Sequence, residues 1–171
     1  SQGCDKAAEF VNFCDAFEIP VLTLTNVKGY KADVCSEKGI AKAAARLTYA
    51  FANATVPKVN VVLGSAMGTA GIAMNSKAVG ADLVFAWPQA QIGSMEGKLA
   101  AKIMYEGQGA DVINEKAAQY DALQVSAQSA ARRGYVDRIV EAADTRKYVI
   151  SAFEMLFTKS EDRPVKKHGT V

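Results

Sequence analysis

Two short apolar runs rich in β-branched residues punctuate the first half of the chain: Val21-Leu22-Thr23-Leu24 directly after Pro20, and Val59, Val61, Val62 and Leu63 just after Pro57. Each is too short and too β-branched for a helix and reads as a buried strand. Between them a helical stripe opens at Ser36 and puts Ile40, Ala43, Ala44, Leu47, Ala50, Phe51 and Ala54 on one face. Strand, helix and strand in that order require parallel strands joined by a helical crossover, not a sandwich or a bundle.

The rest of the chain keeps the alternation. Asp5 is placed to cap a first helix with Ala7, Phe10, Val11, Cys14 and Phe17 at spacings of three and four. A loop covers 26–35. Gly64 through Gly71 ends the second strand, and a short helix follows over 72–77. Strands are expected at 81–86 and 89–92, split by Trp87-Pro88, and helices at 98–106, 111–123 and 126–132, the last closed by Gly134 as a C-cap. A strand over 135–140 precedes a helix capped by Asp144, with Tyr148, Val149, Ala152, Phe153 and Leu156 on its apolar face. The expectation is one α/β domain. At 171 residues there is room for a single substantial core, which at this size takes about 70% of the unfolded chain's surface out of water.

Composition removes several functions. A formal charge of +2 gives no electrostatic case for nucleic acid, and the densest basic run, Lys166-Lys167-His168, reads as a solvated tail. Cys4, Cys14 and Cys35 are odd in number and widely spaced, so they build neither a disulfide framework nor a C-x-x-C site. Cys14 is expected as a small buried thiol, and a reducing cytoplasm fits. No apolar stretch reaches the ~18 residues of a membrane span. The start, Ser1-Gln2-Gly3-Cys4, lacks the regions of a signal peptide and an initiator Met, and reads as a processed chain or a fragment.

Side-chain catalysis has little to work with. His168 is the single histidine, which removes Ser-His-Asp, Cys-His and histidine–zinc chemistry. Neither G-x-x-x-x-G-K-[ST] nor G-x-G-x-x-G occurs, and the acids are scattered over helix surfaces. One segment remains. After the second strand, Gly64, Gly68 and Gly71 alternate with Ser65, Ala66, Thr69 and Ala70 just before a helix. Small residues there let another molecule approach the backbone, and unpartnered N–H groups can hold an anion or a developing oxyanion. A tight turn packed on a neighbouring strand fits the same spacing, which leaves both readings open.

At this segment the chain resembles a known family. Ala50-Phe51-Ala52-Asn53-Ala54-Thr55-Val56-Pro57-Lys58-Val59, Met67-Gly68-Thr69-Ala70-Gly71-Ile72-Ala73-Met74-Asn75-Ser76-Lys77, and Gly80-Ala81-Asp82 through Ala86-Trp87-Pro88 resemble consecutive blocks of the carboxyltransferase subunits of biotin-dependent acyl-CoA carboxylases and acyl-CoA decarboxylases. The likeness runs in order from Asp5-Lys6-Ala7-Ala8 to Gly134-Tyr135-Val136-Asp137, Ala143-Asp144-Thr145-Arg146-Lys147, Arg163-Pro164 and Lys166-Lys167-His168-Gly169.

The resemblance implies a crotonase-like ββα superhelix in which residues 1–171 are the C-terminal, biotin-side domain. The first half of such enzymes holds the acyl-CoA, and the two halves meet across a subunit interface. It further implies that the backbone amides of Gly68, Thr69 and Ala70 form an oxyanion hole for biotin's ureido group, and that Gly29, Tyr30, Gly71 and Ile72 contact substrate. Carboxybiotin would release CO2, the freed biotin nitrogen would help remove the acyl α-proton, and the acyl carbanion would capture the CO2. The cofactor implied is biotin on a carrier domain, with no metal. The partners implied are that carrier, an N-terminal carboxyltransferase half, acyl-CoA and further copies of the chain. The location implied is the cytoplasm, or the membrane through a decarboxylase complex, and the isolated chain is expected to be inactive.

Several positions depart from the family pattern. Thr69 replaces a glycine and Gly71 a tyrosine, the latter expected to enlarge the pocket. The family's Asp-Val-Pro-Gly-Phe is Asn26-Val27-Lys28-Gly29-Tyr30, an Arg-His pair is Lys42-Ala43, and a glycine-rich stretch after Met95 is Glu96-Gly97-Lys98-Leu99. The alternatives are a decarboxylase-type member, a crotonase-type hydratase or isomerase, which needs an acid/base pair, and a non-catalytic assembly domain.

Overall fold

The computed structural model describes residues 1–162. The resemblance at Arg163-Pro164 and Lys166-Lys167-His168-Gly169, the basic-tail reading and His168 lie outside the described residues.

Helix α1 (Gln2–Ala16) leads to strand β1 (Val21–Val27), helix α2 (Val34–Asn53), strand β2 (Lys58–Met67) and the short helix α3 (Gly68–Ala73). Strands β3 (Leu83–Ala86) and β4 (Gln91–Gly93) follow, then α4 (Gly97–Met104), α5 (Ala110–Tyr120), a π-helical turn (Asp121–Val125), α6 (Ala127–Arg132), β5 (Arg138–Ile139) and α7 (Thr145–Met155). All the named strand pairs are parallel, as the alternation requires, in the order β1-β2-β3-β5. Strand β3 pairs the first half of β2, from Val59 to Val62, and β4 pairs its last three residues, Ser65, Ala66 and Met67.

The pleat sorts β2 to two faces. Val59 and Val61 pack with Phe85 and with Ala152 of α7, whereas Val62 packs with Val84, Ala127 and Ala130 of the other cluster. A third cluster joins Ala8, Val11 and Cys14 of α1 to Leu47, Ala50 and Phe51 of α2. Lys58 is fully buried, and its Nζ donates to the carbonyls of Phe51 at 2.7 Å and Ala54 at 2.8 Å, closing the end of α2. At the close of α6, Gly134 has φ +80°, Gly134 N donates to Ala131 O and Tyr135 N to Ala130 O, the double bond of a glycine C-cap as expected.

Several expectations need correction. Strand β1 is half-buried, not buried. It ends the sheet, and Leu22 and Leu24 on its outer face are 42% and 55% exposed. Strand β2 continues through Gly64-Ser65-Ala66-Met67, which the sequence assigned to a turn. Its register against β1 shifts between Thr25 and Val27, and there Asn26 Oδ1 accepts from Ser65 N at 3.0 Å. A β-carbon at Gly64 would lie 2.6 Å from that oxygen, so the glycine makes room for the bond. Helix α3 accordingly opens at Gly68, ahead of the expected 72–77.

Asp5 does not cap α1. Ser1 holds the cap position, and the Asp5 carboxylate pairs with Arg46 of α2 at 2.9 Å. Phe10 and Phe17 face outward at 61% and 65% exposure, because α1 meets α2 through the smaller Ala8, Val11 and Cys14. Helix α2 begins at Val34, ahead of the expected Ser36, and is capped by Asp33, whose Oδ1 accepts from Ser36 N at 2.7 Å. Asp144 occupies the cap position of α7, but its side chain makes no capping bond.

Candidate functional site

In an open parallel sheet ligands gather beyond the carboxyl ends of the strands. At that end of β1, β2 and β4 three loops surround a cleft of about 320 Å³. The segment after β1 supplies Lys28, Gly29 and Tyr30. The end of β2 and the first turn of α3 supply Met67, Gly68, Thr69 and Ala70, and the segment after β4 supplies Ser94, Met95, Glu96 and Leu99.

Local rules explain how the α3 wall is built. Gly68 has φ +58°, in the left-handed region that a side chain disfavours, and this turn takes the chain from β2 directly into α3. The first N–H groups of a helix have no acceptor within it. The far end of α3 is held by buried amides. Thr25 Oγ1 donates to Asn60 Oδ1 at 2.8 Å, and Asn60 Nδ2 donates to Met74 O at 3.2 Å. Asn75, at φ +53°, donates to Thr23 Oγ1 at 3.3 Å.

Five of the residues singled out from the sequence, Gly29, Tyr30, Gly68, Thr69 and Ala70, line this one cleft. Gly71 and Ile72 do not. Gly71 is buried, and a β-carbon there would stand 2.5 Å from the Ala66 carbonyl carbon, so its missing side chain brings α3 onto β2 and does not enlarge the cleft. Ile72 is 48% exposed, away from the cleft lining. Met95 and Glu96 carry no sequence signal beyond lying beside an altered stretch, Lys28 none beyond a departure from the family pattern, and Ser94 none at all. Only position marks all of them, since each follows a strand in a parallel sheet.

The cleft is mostly uncharged. Lys28 and Glu96 are the charged residues of its lining, and they face one another at 3.9 Å in solvent. Tyr30 is half-buried, and burial pushes its phenol above the usual tyrosine range, as does the nearby Cys4; a hydrogen bond from the Thr69 hydroxyl opposes the rise. Tyr30 therefore keeps its proton at neutral pH. Burial likewise raises the Cys4 and Cys14 thiols, which disfavours the reactive thiolate.

The cleft's third wall is anchored at Gly97. Its N–H donates to Asp121 Oδ1 at 2.8 Å, and a β-carbon there would lie 2.4 Å from Ala117 O. Gly97 is thus the point where α4 crosses α5 and the π-helical turn. Among the described residues no group of three or more His, Cys, Asp or Glu is placed to hold a metal ion, and no helix is long and apolar enough to cross a membrane.

The family model described as the carboxyl transferase domain matches residues 1–171. The methylmalonyl-CoA carboxyltransferase 12S subunit of Propionibacterium freudenreichii subsp. shermanii is 44% identical over 172 residues, covering 96% of this chain and 33% of the relative. The methylmalonyl-CoA decarboxylase subunit alpha of Propionigenium modestum is 40% identical, covering 98% of this chain and 34% of the relative. A crystal structure of the transcarboxylase 12S hexamer with hydrolyzed methylmalonyl-coenzyme A bound superposes with a TM-score of 0.93 at 44% identity, over 97% of this chain and 33% of that one. The chain thus spans about a third of the length of the relatives it matches. The likeness gives the fold class, the crotonase-like α/β arrangement expected from the resemblance.

Proposed function

The chain belongs to the carboxyl transferase domain family, and from that premise we propose that it is the biotin-receiving part of an enzyme that moves CO2 between carboxybiotin and an acyl-CoA. The observation that carries the reading is the meeting of Gly29, Tyr30, Gly68, Thr69 and Ala70 around one cleft. These residues come from two separate segments, and only the fold brings them together.

The cleft suits biotin on chemical grounds. Its volume of about 320 Å³ falls at the lower end of the range for small-molecule sites. Its polar groups are backbone amides and the Tyr30 and Thr69 hydroxyls, which match a polar, uncharged ureido ring. Biotin supplies the ring nitrogen that carries CO2. The amides of Gly68, Thr69 and Ala70 donate to the ureido oxygen as negative charge gathers there, the role of an oxyanion hole. Preorganised amides give this stabilisation without an ionisable side chain, consistent with a lining in which Glu96 and Lys28 neutralise one another.

The remaining roles follow from this assignment. Residues 1–171 act as the C-terminal, biotin-side domain, a carrier domain delivers biotin, and an N-terminal half presents the acyl-CoA. Copies of the chain associate in the cytoplasm. A decarboxylase-type role is the second reading, supported by the identity to a decarboxylase alpha subunit; such a complex would work at a membrane. A hydratase or isomerase is less well supported, because Glu96, the one carboxylate lining the cleft among the described residues, is exposed and paired with Lys28.

The test is reconstitution with the first half of the enzyme, followed by transfer of labelled carboxyl from acyl-CoA to free biotin. Transfer is expected in the assembled enzyme and absent from the purified chain alone. Turnover by the chain alone would contradict the division of labour between the two halves.

A further inference from the structure

The cleft's third wall is strung between two glycines. Ser94, Met95 and Glu96 line the cleft, with Gly93 closing β4 on one side and Gly97 opening α4 on the other. Both glycines meet the π-helical turn Asp121–Val125. A β-carbon at Gly93 would lie 3.2 Å from Val125 Cγ2, and Gly97 N donates to Asp121 Oδ1 at 2.8 Å. The first and last residues of one turn thus grip the two ends of one loop. The turn in its place is tied to α6 and its cap, since Ser126 N donates to Asp121 O at 2.9 Å and Arg133 Nη2 to Leu123 O at 3.1 Å.

Asp121 does at Gly97 what a helix's own cap residue normally does. Glu96 holds the cap position of α4, but its side chain makes no capping bond. The Gly97 N–H, an opening donor without an acceptor inside the helix, is satisfied from another element instead. A carboxylate at that end is also favoured by the helix dipole. The Glu96 side chain is thereby left to face Lys28 at 3.9 Å. At the other end of the loop, a β-carbon on Gly68 would stand 3.4 Å from Ser94 O, so the wall lies directly against the turn that carries the proposed amides.

We infer that Asp121 is a positioning residue for the cleft. Through Gly97 it sets how far the Ser94-Met95-Glu96 wall stands from the Gly68-Thr69-Ala70 turn, and so how closely biotin is enclosed. This inference rests on the biotin reading of the cleft. Asp121 is not part of the cleft lining, so its effect on a ligand passes through the loop.

Two measurements on the assembled carboxyltransferase complex test it. Hydrogen exchange reads the loop, and titration of free biotin by saturation-transfer difference NMR reads the site, with coenzyme A as the control ligand. Loss of a hydrogen bond to a charged acceptor predicts that Asp121→Ala lowers amide protection at the start of α4 about ten- to hundredfold, with β2 and α2 unchanged. Biotin affinity is expected to fall about three- to tenfold, a fraction of that loss, while coenzyme A affinity holds. Asp121→Asn keeps an acceptor oxygen in place and is expected to recover most of both. Asp121→Leu restores bulk without an acceptor and is expected to recover neither. Should Asp121→Ala fail to assemble, Val125→Ala loosens the Gly93 end and is expected to weaken biotin with the same selectivity; unchanged affinity there overturns the inference. Parent-like biotin affinity in a folded Asp121→Ala complex overturns it and leaves the biotin reading standing, because the bond then serves folding alone. Equal loss of biotin and coenzyme A affinity overturns it as general distortion, as does full recovery by Asp121→Leu, which would make the effect one of packing. A parent complex that shows no biotin binding overturns this inference and the biotin reading together.

Discussion

A β-carbon on Gly71 would stand 2.5 Å from the carbonyl carbon of Ala66, so α3 lies against the end of β2 only because residue 71 has no side chain. The contact fixes the height of the Gly68-Thr69-Ala70 turn above the sheet. Backbone cannot yield as a flexible side chain would, so Gly71→Ala is expected to destabilise the fold by about 1–3 kcal/mol, the cost of overpacking. Chemical denaturation checks this. An unchanged midpoint and slope would show that α3 can lift off β2 freely.

Lys58 gives a second stability test. Its fully buried ammonium donates to the Phe51 and Ala54 carbonyls, and Lys58→Met would leave those acceptors without it in an apolar setting. Unsatisfied buried groups cost about 1–3 kcal/mol each, so a total loss of about 2–4 kcal/mol is expected. Equilibrium unfolding of the variant measures it.

The sequence carried the architecture further than the details. Alternation of apolar runs and helical stripes was enough for a parallel α/β sheet, since a crossover helix leaves little other choice. Strand β2 beyond Leu63 was illegible, because Gly64-Ser65-Ala66 has the composition of a turn. Its strand geometry comes from pairing with β4 and from the Asn26 side chain, both distant in sequence. Helix α1 shows the same limit. Periodicity found an apolar face, but Phe10 and Phe17 belong to a second apolar side, and the choice between sides depends on what fits against α2. In the cleft, Gly68, Thr69 and Ala70 are legible as a strand-to-helix turn, and their spacing fits a ligand site and a packed turn equally. Whether Gly71 faced ligand or strand was a question of packing that spacing does not encode.

Those outward phenylalanines support a prediction about assembly. Phe10, Phe13 and Phe17 on α1, with Leu22 and Leu24 on the outer face of β1, leave large apolar groups in water. Such surface favours association. Sedimentation over a concentration series is expected to show self-association, weakened by Phe10→Lys. A strictly monomeric chain at high concentration would count against it.

Tyr30 makes stability depend on alkaline pH. Its folded pKa lies above that of a free tyrosine, chiefly through burial. As pH rises through that value the unfolded chain loses this proton first, so the folded state binds more protons and stability falls with further increase. Below that range the group contributes no slope. Unfolding free energy measured across alkaline pH is expected to decline less steeply in Tyr30→Phe than in the parent, and identical slopes would show that Tyr30 titrates as a free phenol.

The central claim is that the amide at position 69 stabilises charge on biotin. Thr69→Pro deletes that N–H in the first turn of α3, where proline is tolerated because the N–H has no acceptor within the helix. Thr69→Gly keeps it. Carboxyl transfer by the reconstituted enzyme, with circular dichroism confirming that both variants fold, separates the two. Loss of one oxyanion donor predicts a rate about 10²–10³ lower for Thr69→Pro, or roughly 3–4 kcal/mol of transition-state stabilisation, while Thr69→Gly stays active. A folded Thr69→Pro enzyme that transfers carboxyl as fast as the parent would contradict the claim and leave residue 69 as part of a tight turn alone.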